Sequence, residues 1–209
     1  MIAITLSRRN FREYDQIVSL YTLNLGKVEL LARGVKKITS KNSPHLEPFS
    51  IVEIEIIKGK EIDHLTKVQP IRYFSNIRKN REKSLAANYI VSLLDKLTQT
   101  GEKDENFFEL LLSWLKYIDS TEKYNFFLID AYIVKLLNCL GFDITYANNI
   151  PSNSIKQNLQ ILNQADWPQI NRLIISDDDY NKINKFIYEY LVFHSEKKLD
   201  NWSQYKNRF

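Results

Sequence analysis

Phe49-Ser50-Ile51-Val52-Glu53-Ile54-Glu55-Ile56-Ile57 is the stretch on which the fold turns. Val52, Ile54 and Ile56 fall on one side of an extended chain, Glu53 and Glu55 on the other. That period of two marks a strand with one buried face. Lys58-Gly59-Lys60 follows as a turn, and residues 62–71 supply a further strand, ended near Pro70. Upstream, residues 1–6 are rich in β-branched and aliphatic side chains, residues 16–23 read as a second strand and residues 27–32 as a third. Asn24-Leu25-Gly26-Lys27 joins the last two as a hairpin turn, with Gly26 free to take a positive φ. Five short strands within about 75 residues predict a small closed barrel, for which the OB-fold is a common solution. An SH3-like barrel has the same strand count.

From about Asn76 the period lengthens. Leu85, Tyr89, Leu93 and Leu97 recur at helical spacing across residues 84–97. A second helix starts at Asp104 or Glu105, where acidic residues favour the N-terminus. Residues 123–140 are apolar nearly all round, as suits a helix in the middle of a bundle, and Gly141 is placed to cap it. Residues 143–176, rich in Asn, Gln and Ser, read as irregular. Asp177-Asp178-Asp179 precedes a last helix over about 180–197. The reading is an α+β chain: an OB-fold-like barrel over 1–76, then an all-α domain over 77–209.

The 209 residues are 44% hydrophobic and 26% charged, enough apolar material for a core. Net charge is only +4, but residues 1–80 hold 14 of the 29 Lys/Arg against 8 of the 25 Asp/Glu. The remainder, 15 against 17, is slightly acidic. Positive charge thus gathers in the first third, as expected of a part that meets a polyanion. No apolar run is long enough to span a membrane. Residues 1–6 lack a basic flank and are interrupted by Arg8 and Arg9, so they read as a strand and not a signal peptide. One cysteine, Cys139, allows no intramolecular disulfide and fits a reducing cytosol.

The candidate site is cationic. Arg33, Lys36, Lys37 and Lys41 occupy a stretch with no acidic residue, and Arg8, Arg9 and Arg12 form a second cluster. Connecting loops and the exposed barrel face are where OB-folds meet oligonucleotides. Phosphates ask for cations and not for a sequence, so a Lys/Arg loop suits sequence-independent binding. Phe11, Tyr14 and Tyr21 are either base-stacking rings or core, and Glu13 and Asp15 can offset part of the arginine cluster. No phosphate-binding Gly-rich loop, Ser-His-Asp order or His-Glu metal motif is present, so no catalytic residue is expected. The three aspartates at 177–179 read as a helix-terminal charge run and not as a metal site. Lys116, Lys123, Lys135, Lys182 and Lys185 lie near aromatic residues and are possible edges of a peptide groove.

Taken together, several of these segments resemble the RecO family. The resemblance rests on residues 26–37, running from Gly26-Lys27-Val28 to Gly34-Val35-Lys36-Lys37, on Leu46-Glu47-Pro48-Phe49, on the Lys58-Gly59-Lys60 turn, and on Asp63-His64-Leu65-Thr66. The opening strand with Arg8-Arg9-Asn10-Phe11-Arg12, the Leu136–Phe142 segment and Tyr190-Leu191 with Lys197-Lys198-Leu199 are similar too. Many members carry four cysteines that hold a structural zinc. Residues 143–176 contain neither Cys nor His, so no metal and no cofactor is expected here. The resemblance implies a cytoplasmic, nucleoid-associated recombination mediator in DNA repair that is not an enzyme. It implies binding of single- and double-stranded DNA, strand annealing, and contact with the acidic C-terminal tail of single-strand-binding protein. It also implies action with RecR in loading RecA. A protein-interaction adaptor and an RNA-binding OB-fold protein are the alternative readings.

Overall fold

In the computed structural model, which describes residues 1–203, five strands close into a barrel of order β1-β2-β3-β5-β4. They are β1 (Ile2–Asn10), β2 (Gln16–Thr22), β3 (Gly26–Ala32), β4 (Ile51–Ile57) and β5 (His64–Arg72). β1 pairs antiparallel with β2 and with β4, β2 with β3, and β4 with β5. β3 and β5 run parallel and share a single residue pair, Leu31 with His64. This is the five-stranded Greek-key order of an OB-fold, and the parallel β3–β5 closure separates it from the SH3-like alternative. Gly26 sits at φ +65°, and a Cβ there would lie 2.0 Å from the carbonyl oxygen of Glu102, so only glycine fits the hairpin turn.

The alternation read in the 49–57 segment is the barrel's core pattern. Val52 and Ile54 point inward with Val18, Leu20, Leu30, Leu65 and Val68, and Ile56 packs against them. Val35 and Leu46, both in the β3–β4 connection, belong to the same cluster, so that connection plugs the barrel. Leu46 ends a 3-10 turn, Ser43–Leu46.

The outside of β1 and β2 is covered. Helices α1 (Ser75–Lys79), α2 (Arg81–Leu97) and α3 (Glu105–Ser120) follow the barrel. From α2, Asp95 accepts Ser7 Oγ and Ser19 Oγ, each at 2.6 Å, and pairs with Lys27 Nζ at 2.8 Å. Tyr21 is fully buried, donates to Asp104 O at 3.0 Å and meets the Phe107 ring edge-on at 6.1 Å. Burial first, then the nearby Asp104 and Glu102, push its phenol up to about 12. At the far end of α3, Asp119 Oδ1 accepts Asn76 N–H at 3.1 Å and Ile77 N–H at 3.2 Å, capping α1 from a distance in sequence. These bonds lie within the first compact unit, which runs from Met1 to Asp119.

The second unit begins at Ser120. Its central helix is α4 (Phe127–Cys139), buried along most of its length. The helix closes with Phe142 N–H on Leu137 O at 2.8 Å and Gly141 N–H on Asn138 O at 3.0 Å, a Schellman ending. Around it stand α5 (Asn153–Gln164), α6 (Trp167–Asn171) and α7 (Asp177–Ser195). Residues 143–176 are therefore not an irregular insert. Within α5, Ile155, Leu159 and Leu162 are buried at helical spacing while the Asn and Gln side chains are mostly turned outward. Ser152 caps α5, and Asp166 with Gln169 forms a capping box on α6. In α7, Asn184 Nδ2 donates to the buried Asp130 Oδ1 at 3.1 Å, and Ser176 caps the acidic first turn.

Candidate nucleic-acid interface

The β1–β2 connection, residues 11–15, is short and polar except for two rings. Phe11 N–H closes it on Asp15 O at 3.1 Å. It is tied to the first turn of the β3–β4 connection: Lys36 N–H donates to Tyr14 O at 3.0 Å and Gly34 N–H to Asp15 Oδ1 at 2.8 Å. Asp15 is thus engaged with backbone and is not set against the arginines. The base of the β4–β5 connection joins the same row. Leu31 N–H donates to Asp63 O at 2.9 Å, and Arg33 lies 3.4 Å from His64 Nε2.

This arrangement brings Arg12, Arg33, Lys36 and Lys37 onto adjoining turns, all four exposed. Arg12 lies 5.1 Å from the Phe11 ring centroid and Lys37 Nζ 5.6 Å from that of Tyr14. The remaining sequence candidates stand apart. Arg8 is inserted against the plug, bonded to Glu47 and to Ser43 O. Arg9 pairs with Glu29 on β3 at 3.3 Å. Lys41 is exposed further along the β3–β4 connection. Tyr21 is core, and its strand face is covered by helix, so the barrel face expected to be open is closed at β1 and β2.

Two cations escaped the sequence reading, Lys58 and Lys60 in the β4–β5 connection, both exposed. Their signal was the glycine between them: a Cβ on Gly59 would sit 1.9 Å from Ile62 O, so the turn is tight and the flanking lysines are thrust outward. Lys58 is tempered by Asp63, 2.8 Å away. That hydrogen bond, with a second from Gly59 N–H, holds the Asp63 carboxyl below its usual range. Of the lysines considered for a peptide groove, Lys135 donates to Asn163 O at 2.6 Å and Ala165 O at 3.0 Å and so finishes α5. Lys182 pairs with Asp178 and Lys185 with Glu189. A separate cleft of about 480 Å³ in the second unit is lined by Tyr146, Phe186, Tyr190, Phe193 and His194. Among the described residues no helix is long and apolar enough to cross a membrane.

A closed OB-type barrel continued by helices defines a class of two-part proteins. Within that class, residues 1–74 match the family model for the recombination protein O N terminal and residues 78–150 that for its C terminal, and the chain belongs to the RecO family of DNA repair proteins. A DNA repair protein RecO from Pelotomaculum thermopropionicum is 26% identical, with 96% of this chain and 91% of that protein aligned. One from Desulforamulus reducens is 35% identical over 56% of this chain and 45% of its own length. One from Geobacter sulfurreducens is 32% identical over 68% and 58% respectively. The chain thus spans less than two thirds of the length of the latter two.

Proposed function

We propose that the chain is a recombination mediator that binds and anneals DNA strands and helps load recombinase onto single strands coated by single-strand-binding protein. The observation that carries this reading is the set of hydrogen-bonded connections that brings Arg12, Arg33, Lys36 and Lys37 onto adjoining turns. Cations so placed neutralise phosphates without reading bases. Two strands held this way lose much of their mutual repulsion and pair by their own base complementarity. The protein supplies screening and proximity and makes or breaks no covalent bond. The family supports RecR and the acidic tail of single-strand-binding protein as partners.

The test is annealing of complementary oligonucleotides coated with single-strand-binding protein, with and without the chain. Faster annealing that weakens with salt supports the reading, and an unchanged rate removes it. An adaptor role is favoured by one observation, the aromatic cleft of Tyr190 and Phe193. It predicts tight capture of a protein tail with little DNA binding at physiological salt.

A further inference from the structure

Three large apolar side chains stand exposed among the cations of these connections. Phe11 is 45% exposed, Tyr14 47%, and Ile38 wholly so. Single exposed hydrophobics are ordinary on a protein surface. These three are not scattered. Phe11 and Tyr14 share one short connection, and Ile38 directly follows Lys37, whose ammonium lies over Tyr14. The bond from Lys36 N–H to Tyr14 O fastens the two connections at that point. Each ring therefore has a cation beside it, Arg12 for Phe11 and Lys37 for Tyr14. Glu13, by hydrogen bonding, raises the pKa of the Tyr14 phenol.

A ring with a neighbouring cation matches one nucleotide, the base against the ring and the phosphate against the charge. Bases inside a duplex have both π-faces covered by their neighbours and offer nothing to such a ring. Unpaired bases offer a face at every residue whatever the sequence. Ile38, fully exposed beside Lys37, adds apolar surface against which an unpaired base can rest.

We infer that Phe11, Tyr14 and Ile38 form a base-docking ledge beside Arg12, Lys36 and Lys37, which gives the site a preference for unpaired nucleotides over duplex. This rests on the reading of these connections as the DNA interface. Phosphate contacts set the salt dependence of binding, and the ledge sets the choice between single and double strands.

Fluorescence anisotropy of the full chain with three probes tests it: an oligothymidylate, an abasic oligomer of equal length and charge, and a blunt hairpin duplex. The oligothymidylate binds about tenfold or more tightly than the abasic strand at the same salt, with parallel salt slopes. Phe11→Ala with Tyr14→Ala brings the oligothymidylate to the abasic level and leaves the slope alone. Far-UV circular dichroism checks that the variant is folded. Equal affinity of unmodified protein for thymidylate and abasic strands overturns the ledge while leaving DNA binding intact. Absence of salt-dependent binding to all three probes overturns the ledge together with the reading beneath it.

Discussion

Lys27 Nζ and Asp95 Oδ1 face each other at 2.8 Å where β3 meets α2. The same carboxylate takes the hydroxyls of Ser7 and Ser19. One acidic side chain thus anchors a helix to three strands. Asp95→Ala strands an ammonium that is only 11% exposed. Loss of one partner of a buried pair costs about 3–5 kcal/mol, and the partial exposure here points to the lower end. Urea unfolding measures it. Lys27→Met with Asp95→Leu restores most of the loss, since no charge is then left unpaired.

The anchor also fixes an acid limit. Burial alone raises the Asp95 pKa, but Lys27 and the two hydroxyls outweigh it and hold the carboxyl below its usual range. A carboxyl depressed in the folded state contributes stability that is complete above its unfolded value, about 3.9, and is lost as pH falls through the folded value. Thermal unfolding across a pH series therefore shows stability falling below about pH 4. In Asp95→Asn that part of the profile flattens, from a lower plateau at neutral pH. An unaltered acid slope in the variant assigns the acid limit to other carboxylates.

For the interface, the combined replacement of Arg33, Lys36, Lys37 and Lys41 by Ala weakens single-strand binding. Its log–log salt slope is shallower by up to about 3, at roughly 0.7 per phosphate contact. Stability stays within about 0.5 kcal/mol, because these are exposed positions. Arg8→Ala behaves oppositely, destabilising the plug through loss of its bonds to Glu47 and Ser43 and changing the slope little. Titrations at several salt concentrations separate the two, and a steeper slope change for Arg8 than for the quadruple variant would refute the placement.

Leu159→Ala probes the helix that composition concealed. Leu159 is fully buried in the second unit, so its truncation costs about 2–5 kcal/mol. An irregular surface segment would tolerate the change at little cost. Denaturant unfolding with far-UV detection decides between them.

The strands were legible because alternation survives in single stretches such as 49–57, where one face is apolar and the other acidic. The basic connections were legible because loops announce themselves by charge. Pairing was not, since Glu47 lies 39 residues from Arg8 and Glu29 lies 20 from Arg9. Nothing in the sequence marks Ser7 and Ser19 as partners of Asp95, 88 and 76 residues away, and only the fold brings them together. α5 hid for another reason. Ile155, Leu159 and Leu162 make a narrow apolar stripe, and the Asn and Gln around it suggest loop by composition although their spacing permits a helix. The ledge residues Phe11 and Tyr14 were visible as aromatics, while their separation from core-bound Tyr21 needed burial.

The lone pair between Leu31 and His64 gives the cylinder a seam. Along it lies an apolar furrow of about 540 Å³ floored by Val28, Leu30 and Ile56. Every other junction of the wall is stitched by three or more residue pairs, so hydrogen exchange is expected to run fastest along this one. The junction with the fewest rungs thus stands beside the connection that carries Lys58 and Lys60.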